Sequence, residues 1–171
     1  MVPFPDPDSF RPFVEENFER LASFAWSVLG SGLEAEDVAQ EAFVLVYRAR
    51  RRLDPERSPT AYLYRAAFRL CLSRLRRQKR RAALALLAAP LARSTAPPPA
   101  EPLDAWFRPL SKRQRAIAHL RFGQDRDTGE IAEALGIRPA TVRVQLARIR
   151  ARIQATSGGL AAPRRCSDVS G

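Results

Sequence analysis

Eight cationic side chains crowd into 17 residues at Arg65, Arg69, Arg74, Arg76, Arg77, Lys79, Arg80 and Arg81, and no acid occurs between residues 57 and 100. A solvated helix usually mixes signs, so this run calls for an anionic surface, with phosphates as the natural match. Tyr62, Tyr64 and Phe68 are interleaved with the first of these charges. Rings beside arginines suit single-stranded or opened nucleic acid, whose bases are free to stack. Core packing competes for the rings, and for Phe68 it is the stronger reading; an anionic membrane surface competes for the arginines. A second basic cluster, Arg138, Arg143, Arg148, Arg150 and Arg152, also contains no acid. Opposite in sign is the stretch Glu34, Glu36, Asp37, Gln40, Glu41 and Phe43. The macrodipole of a helix start accounts for the first three acids. Gln40 and Glu41 lie deeper, where docking of a basic protein and plain solvation stand level.

Catalysis finds little to work with. His119 is the single histidine, and Cys71 and Cys166 are the two cysteines. That excludes a Cys₄ or Cys₂His₂ zinc site and a disulfide-dense scaffold. No Gly-rich phosphate loop or nucleophile–base pair is present, so no metal, cofactor or small-molecule substrate is expected and an enzyme such as a nuclease has the least support. His119 and Cys71 sit among apolar neighbours and read as structural. The formal net charge of +11 and pI near 11.2 point to a polyanionic partner. Residues 1–56 nevertheless hold 11 acids against 6 bases, and the excess of bases lies beyond them.

The elements that must position these residues read as helices throughout. Val14, Phe18, Leu21, Ala25 and Val28 form one apolar stripe, stopped by Gly30-Ser31-Gly32. Ser31 with Glu34 predicts a capping box for a second helix, with Val38, Ala42, Leu45 and Ala49 inward. Ser58 and Pro59 suit the N-cap and first position of a third helix running to about Leu87, with Leu63, Ala67 and Leu70 inward. Ala96-Pro97-Pro98-Pro99-Ala100-Glu101-Pro102 cannot continue a helix and reads as a stiff linker. Beyond it, Ser111 with Gln114 and Asp127 with Glu130 are two further capping boxes, and Gly123 and Gly136 are stops. The expected architecture is all-α: a helical bundle over 8–88, a Pro-rich linker over 89–103, a second helical domain over 104–155 and a disordered tail over 156–171.

The second domain carries the sharpest pattern. Ile131, Leu135, Ile137, Val142 and Leu146 would hold two helices crossed, with Ala132 small at the close approach and Gly136 in the turn. That spacing matches a DNA-binding helix-turn-helix. With Val142, Leu146 and Ile149 inward, Arg138, Thr141, Arg143, Val144, Gln145 and Arg148 point outward. Arg suits guanine and Gln adenine in the major groove, while Arg148 and Arg150 are better placed for phosphates. A helical hairpin with a solvated basic face is the bland alternative.

Taken together, these segments resemble an extracytoplasmic-function (ECF) sigma factor, a small bacterial transcription initiation factor. EDVAQEAFVLVYR (36–48) and SPTAYLYRAAFRLCLSRLRRQKRR (58–81) resemble the family's region 2. LSKRQRAIAHLRF with DTGEIAEALGIRPATVRVQLARIR, within 110–150, resembles its region 4. The resemblance implies that Asp37, Gln40, Glu41 and Phe43 dock on the β′ coiled coil of core RNA polymerase. It implies that Tyr64, Arg65, Arg69, Ser73, Arg74, Arg76 and Arg77 engage the −10 promoter element. Arg138, Thr141, Arg143, Val144, Gln145 and Arg148 would read the −35 element. The family often has Asn and Asp where this chain has Arg69 and Ser73, and Ser and Arg where it has Val144 and Gln145. An anti-sigma factor is a further implied partner.

The acidic, proline-rich start has no basic flank before an apolar run, and the stretch from Ala82 to Ala92 is about half of what a membrane span needs. A cytoplasmic protein without membrane insertion is expected. The competing functional reading is a stand-alone helix-turn-helix regulator, which would be a dimer on symmetric half-sites; no heptad or other dimerisation face is visible.

Overall fold

The computed structural model describes Phe4 and residues 6–53, 58–88 and 109–156. The linker 89–103 and the tail from 157 onward lie outside the described residues. All regular structure among the described residues is helical.

Helix α1 spans Pro7–Leu29. It starts where Asp6 accepts the Ser9 amide at 2.8 Å and Ser9 Oγ reciprocates, with Pro7 needing no donor of its own. It ends on Gly30, whose φ of 81° is one that glycine adopts without steric cost. Helix α2 spans Gly32–Ala49 and runs into a 3₁₀ turn, Arg50–Arg52. The expected Ser31–Glu34 capping box does not form. Glu34 is drawn instead to the third helix, where Gln78 Nε2 donates to both of its carboxylate oxygens at 2.9 and 3.1 Å. Helix α3 spans Pro59–Ala88. Ser58 Oγ accepts the Ala61 amide, as its N-cap position predicts.

The three helices share one core. Leu21, Phe24, Ala25 and Val28 of α1, Val38, Ala39, Ala42 and Val46 of α2, and Leu63, Ala67 and Cys71 of α3 are almost solvent-free. Leu45, expected inward, is 37% exposed. Steps of four from Val38 through Ala42 reach Val46, so Leu45 falls on the shoulder of the stripe. Between the first half of α1 and the second half of α2 lies an aromatic cluster: Phe10 meets Phe4 at 5.0 Å, Phe13 at 5.7 Å and Tyr47 at 5.1 Å, and Phe13 meets Phe43 at 5.9 Å.

The second group of helices is α4, Lys112–Ala118, a π turn at His119–Gly123, α5, Thr128–Leu135, and α6, Pro139–Thr156. Both capping boxes read from the sequence form: Ser111 with Gln114, and Asp127 with Glu130. Gly136, φ 65°, turns the chain between α5 and α6. Val142 and Ile149 are fully buried and Leu146 nearly so, against Ile131, Ala132 and Leu135.

The two groups do not stand apart on a tether. α3 packs along α5, and α1 packs along α4. The resulting seam places the front of the basic helix against the helix-turn-helix.

Candidate nucleic-acid and protein interfaces

Helix α6 presents its reading face as the stripe requires. Arg143, Val144 and Arg148 are exposed, and Val144 keeps 51% of its surface. Arg138 is exposed just ahead of the helix, and its carbonyl accepts the Thr141 amide at 2.9 Å. Thr141 is partly buried. Gln145, expected to point outward, is partly buried. Its Oε1 accepts from Gln114 Nε2 of α4 at 3.1 Å, so the side chain leans back toward its own domain. Arg152 turns the same way, donating to the Pro109 carbonyl at 2.6 Å and to Gln114 Oε1 at 3.2 Å.

Helix α3 is basic in two different senses. Its rear half, Arg76, Arg77, Lys79, Arg80 and Arg81, is exposed, as are Arg69 and Ser73 nearer its middle. Its front lies in the seam. Tyr64 is 1% exposed, which corrects the expectation that its ring is free to stack on a base. Its ring meets Phe24 edge-on at 5.1 Å, and its hydroxyl donates to Gln124 Oε1 at 2.7 Å. Burial pushes the Tyr64 phenol above its ordinary range, although the Gln124 bond and the charges of Arg126 and Arg20 pull the other way. Arg65 is held as well: Nε and Nη2 both donate to the Glu133 carbonyl of α5, at 3.2 and 2.5 Å. Tyr62, by contrast, is 37% exposed.

Gln124 is the hub of the seam. Besides accepting from Tyr64, it donates through Nε2 to the Arg20 carbonyl of α1 at 3.1 Å and lies 3.4 Å from His119 Nε2. His119 meets the Phe24 ring at 5.9 Å, and burial lowers its pKa to about 4, so it is neutral at ordinary pH. Cys71 is buried in the first bundle, and desolvation raises its thiol pKa to about 12. Both residues are structural, as their apolar surroundings in the sequence indicate.

The acidic face of α2 is outward. Glu36 and Gln40 are exposed, and the Asp37 and Glu41 side chains are 67% and 50% exposed. Phe43 is not part of that surface: it is 5% exposed within the aromatic cluster, which corrects its placement as a docking residue. Arg74 crosses from α3 to pair with Asp37 at 3.5 Å and Glu41 at 3.2 Å, and it also donates to the Glu34 carbonyl. A residue expected at DNA thus sits among residues expected at a protein partner. Sequence reasoning could name Gln114 as a cap but had no signal for its reach to α6, and nothing along the chain singles out Gln124.

Comparison with known proteins follows this division. The family model described as Sigma-70 region 2 matches residues 13–81, and that described as Sigma-70, region 4 matches residues 107–153. The ECF RNA polymerase sigma factor SigW of Bacillus subtilis (strain 168) is 35% identical over 74 residues, 43% of this chain. The match spans 40% of that relative's length. Among solved structures, the sigma factor RpoE in complex with the anti-sigma factor NepR from Bartonella quintana is similar with a TM-score of 0.65 at 17% identity, over 90% of this chain and 99% of that one. CnrH in complex with the cytosolic domain of CnrY is similar with a TM-score of 0.64 at 23% identity, over 92% of each chain. At such identities the likeness is one of fold. With region 2 matched on the three-helix bundle and region 4 on the helix-turn-helix half, the chain belongs to the sigma-70 family as an ECF-type sigma factor.

Proposed function

We propose that the chain is a transcription initiation factor that binds core RNA polymerase and directs it to promoters carrying matched −10 and −35 elements. Asp37, Gln40 and Glu41 on the outward face of α2 dock on the β′ coiled coil. Arg65, Arg69, Ser73, Arg74, Arg76 and Arg77 of α3 engage the −10 element. Arg138, Thr141, Arg143, Val144 and Arg148, in α6 and just ahead of it, engage the −35 element. The observation that carries this reading is one chain presenting an acidic α2 face and two separate acid-free arginine faces, on α3 and α6. The acidic face fits a basic protein, and the arginine faces fit phosphates.

The role is binding rather than catalysis. No DNA bond is broken, and strand opening is driven by grip on the opened strand, which offsets roughly a few kcal/mol of unstacking. No cofactor takes part, and the site of action is the cytoplasm, where polymerase and promoter meet. The solved complexes of RpoE with NepR and of CnrH with CnrY support an anti-sigma partner for this chain too.

Pull-down with core RNA polymerase followed by run-off transcription tests the proposal. Promoter-dependent transcripts that require both partners are expected. Failure to bind the core enzyme, or transcription without promoter dependence, overturns it.

A further inference from the structure

Gln114 is among the few buried polar side chains of the described residues, at 6% exposure. Its carboxamide makes three bonds. Oε1 accepts from the Ser111 amide at 3.1 Å, which caps α4, and from Arg152 Nη1 at 3.2 Å. Nε2 donates to Gln145 Oε1 at 3.1 Å. Gln145 and Arg152 are seven residues apart on α6, hence on one face, immediately beside the core stripe of Val142, Leu146 and Ile149. Arg152 also bonds the Pro109 carbonyl, so the far end of the clasp is anchored ahead of α4.

Apolar contacts at Val142, Leu146, Ile149 and Ile153 fix which side of α6 faces inward, but being non-directional they tolerate small rotations about its axis. Two directed bonds to one buried carboxamide prevent such rotation, because turning α6 would leave a desolvated amide short of partners. The apolar stripe already turns Arg143, Val144 and Arg148 outward, and the clasp fixes how far round the helix axis each one stands.

Resting on the proposed function, we infer that Gln114 and Gln145 are positioning residues for −35 recognition: they set the rotation of α6, and Gln145 itself does not read a base. Discrimination through side chains such as Arg143 depends on placing donors to within a fraction of an ångström, which supporting contacts must supply.

The test uses the full chain with core RNA polymerase on a promoter library randomised across the −35 element, with transcripts sequenced and thermal unfolding of each variant recorded. Gln114→Leu removes all three bonds. Gln114→Glu keeps the oxygen that caps α4 and receives Arg152, and the Gln145 carboxamide can flip to donate to the new carboxylate. Gln145→Leu removes one arm of the clasp and leaves the α4 cap intact.

The expected result is that Gln114→Leu and Gln145→Leu each lower discrimination about fivefold at more than one base pair, and together do little more than either alone. Gln114→Glu keeps the wild-type preference. Loss of preference at a single base pair in Gln145→Leu, repeated in the Gln114→Leu background, identifies Gln145 as a direct reader and overturns the inference. So does a uniform loss of output from every sequence, or an unchanged preference in Gln145→Leu. If Gln114→Leu does not fold, Gln145→Leu decides the matter by the same criteria. A wild-type chain with no −35 preference overturns the proposed function and this inference with it, whereas an intact preference in Gln145→Leu overturns the inference alone.

Discussion

The hydroxyl of Tyr64 on α3 donates to the Gln124 carboxamide ahead of α5 at 2.7 Å, across the seam between the two helical groups. Tyr64→Phe keeps the ring against Phe24 and removes only this bond. A net hydrogen bond contributes about 0.5–1.5 kcal/mol, so urea unfolding is expected to show a loss of about 1 kcal/mol. Hydrogen exchange at the 131–135 amides should rise in parallel, because α5 loses a point of attachment to α3.

Neutralising the acidic α2 face should separate binding from stability. Asp37 and Glu41 are at least half exposed and each pairs with Arg74, and exposed pairs contribute about 0–1 kcal/mol. The double variant Asp37→Asn, Glu41→Gln is expected to unfold within about 1 kcal/mol of the wild type and yet lose most of its retention of core RNA polymerase in a pull-down.

Two arginines of α6 should fail in different ways. Arg143, exposed near the start of the helix, is placed for a base edge, so Arg143→Ala is expected to cost about 1–3 kcal/mol on the preferred −35 sequence and little on others. Arg148 lies one turn further on and is placed for a phosphate. Arg148→Ala should weaken all sequences alike and reduce the salt slope by about 0.9. Binding isotherms at several salt concentrations on matched and mismatched duplexes check both.

His119 makes stability depend on pH. Its pKa of about 4 lies below the ordinary 6.5 because burial disfavours the imidazolium. Between those values the unfolded chain binds a proton that the folded chain refuses, so stability falls as pH drops from 6.5 toward 4. His119→Phe removes that contribution. Urea midpoints from pH 7 to pH 5 are expected to decline less steeply in the variant than in the wild type.

Local signals carried much of the fold. The stripe of α1, the caps at Ser58, Ser111 and Asp127, and the glycine at 136 all depend on neighbours within a few residues, and each forms as the spacing predicts. Glu34 shows where locality ends: its capping role is lost to Gln78, 44 residues away in the chain. The interface residues divide the same way. Arg143 and Arg148 are outward because the apolar period of α6 makes them so. Tyr64 and Phe43 each sit one position beside the apolar stripe of their helix, and the seam and the aromatic cluster that bury them are assembled from distant segments.

Arg65 grips the main-chain carbonyl of residue 133, not the Glu133 side chain. An acceptor that belongs to the backbone cannot be deleted by changing its residue. Genetic selection for chains with a loosened seam should therefore be lopsided, returning changes at position 65 and sparing position 133. Gly136 is a site on the other side where such a selection should also succeed, because an added Cβ there would come within 3.3 Å of the guanidinium Nε at a φ that side chains other than glycine's rarely adopt.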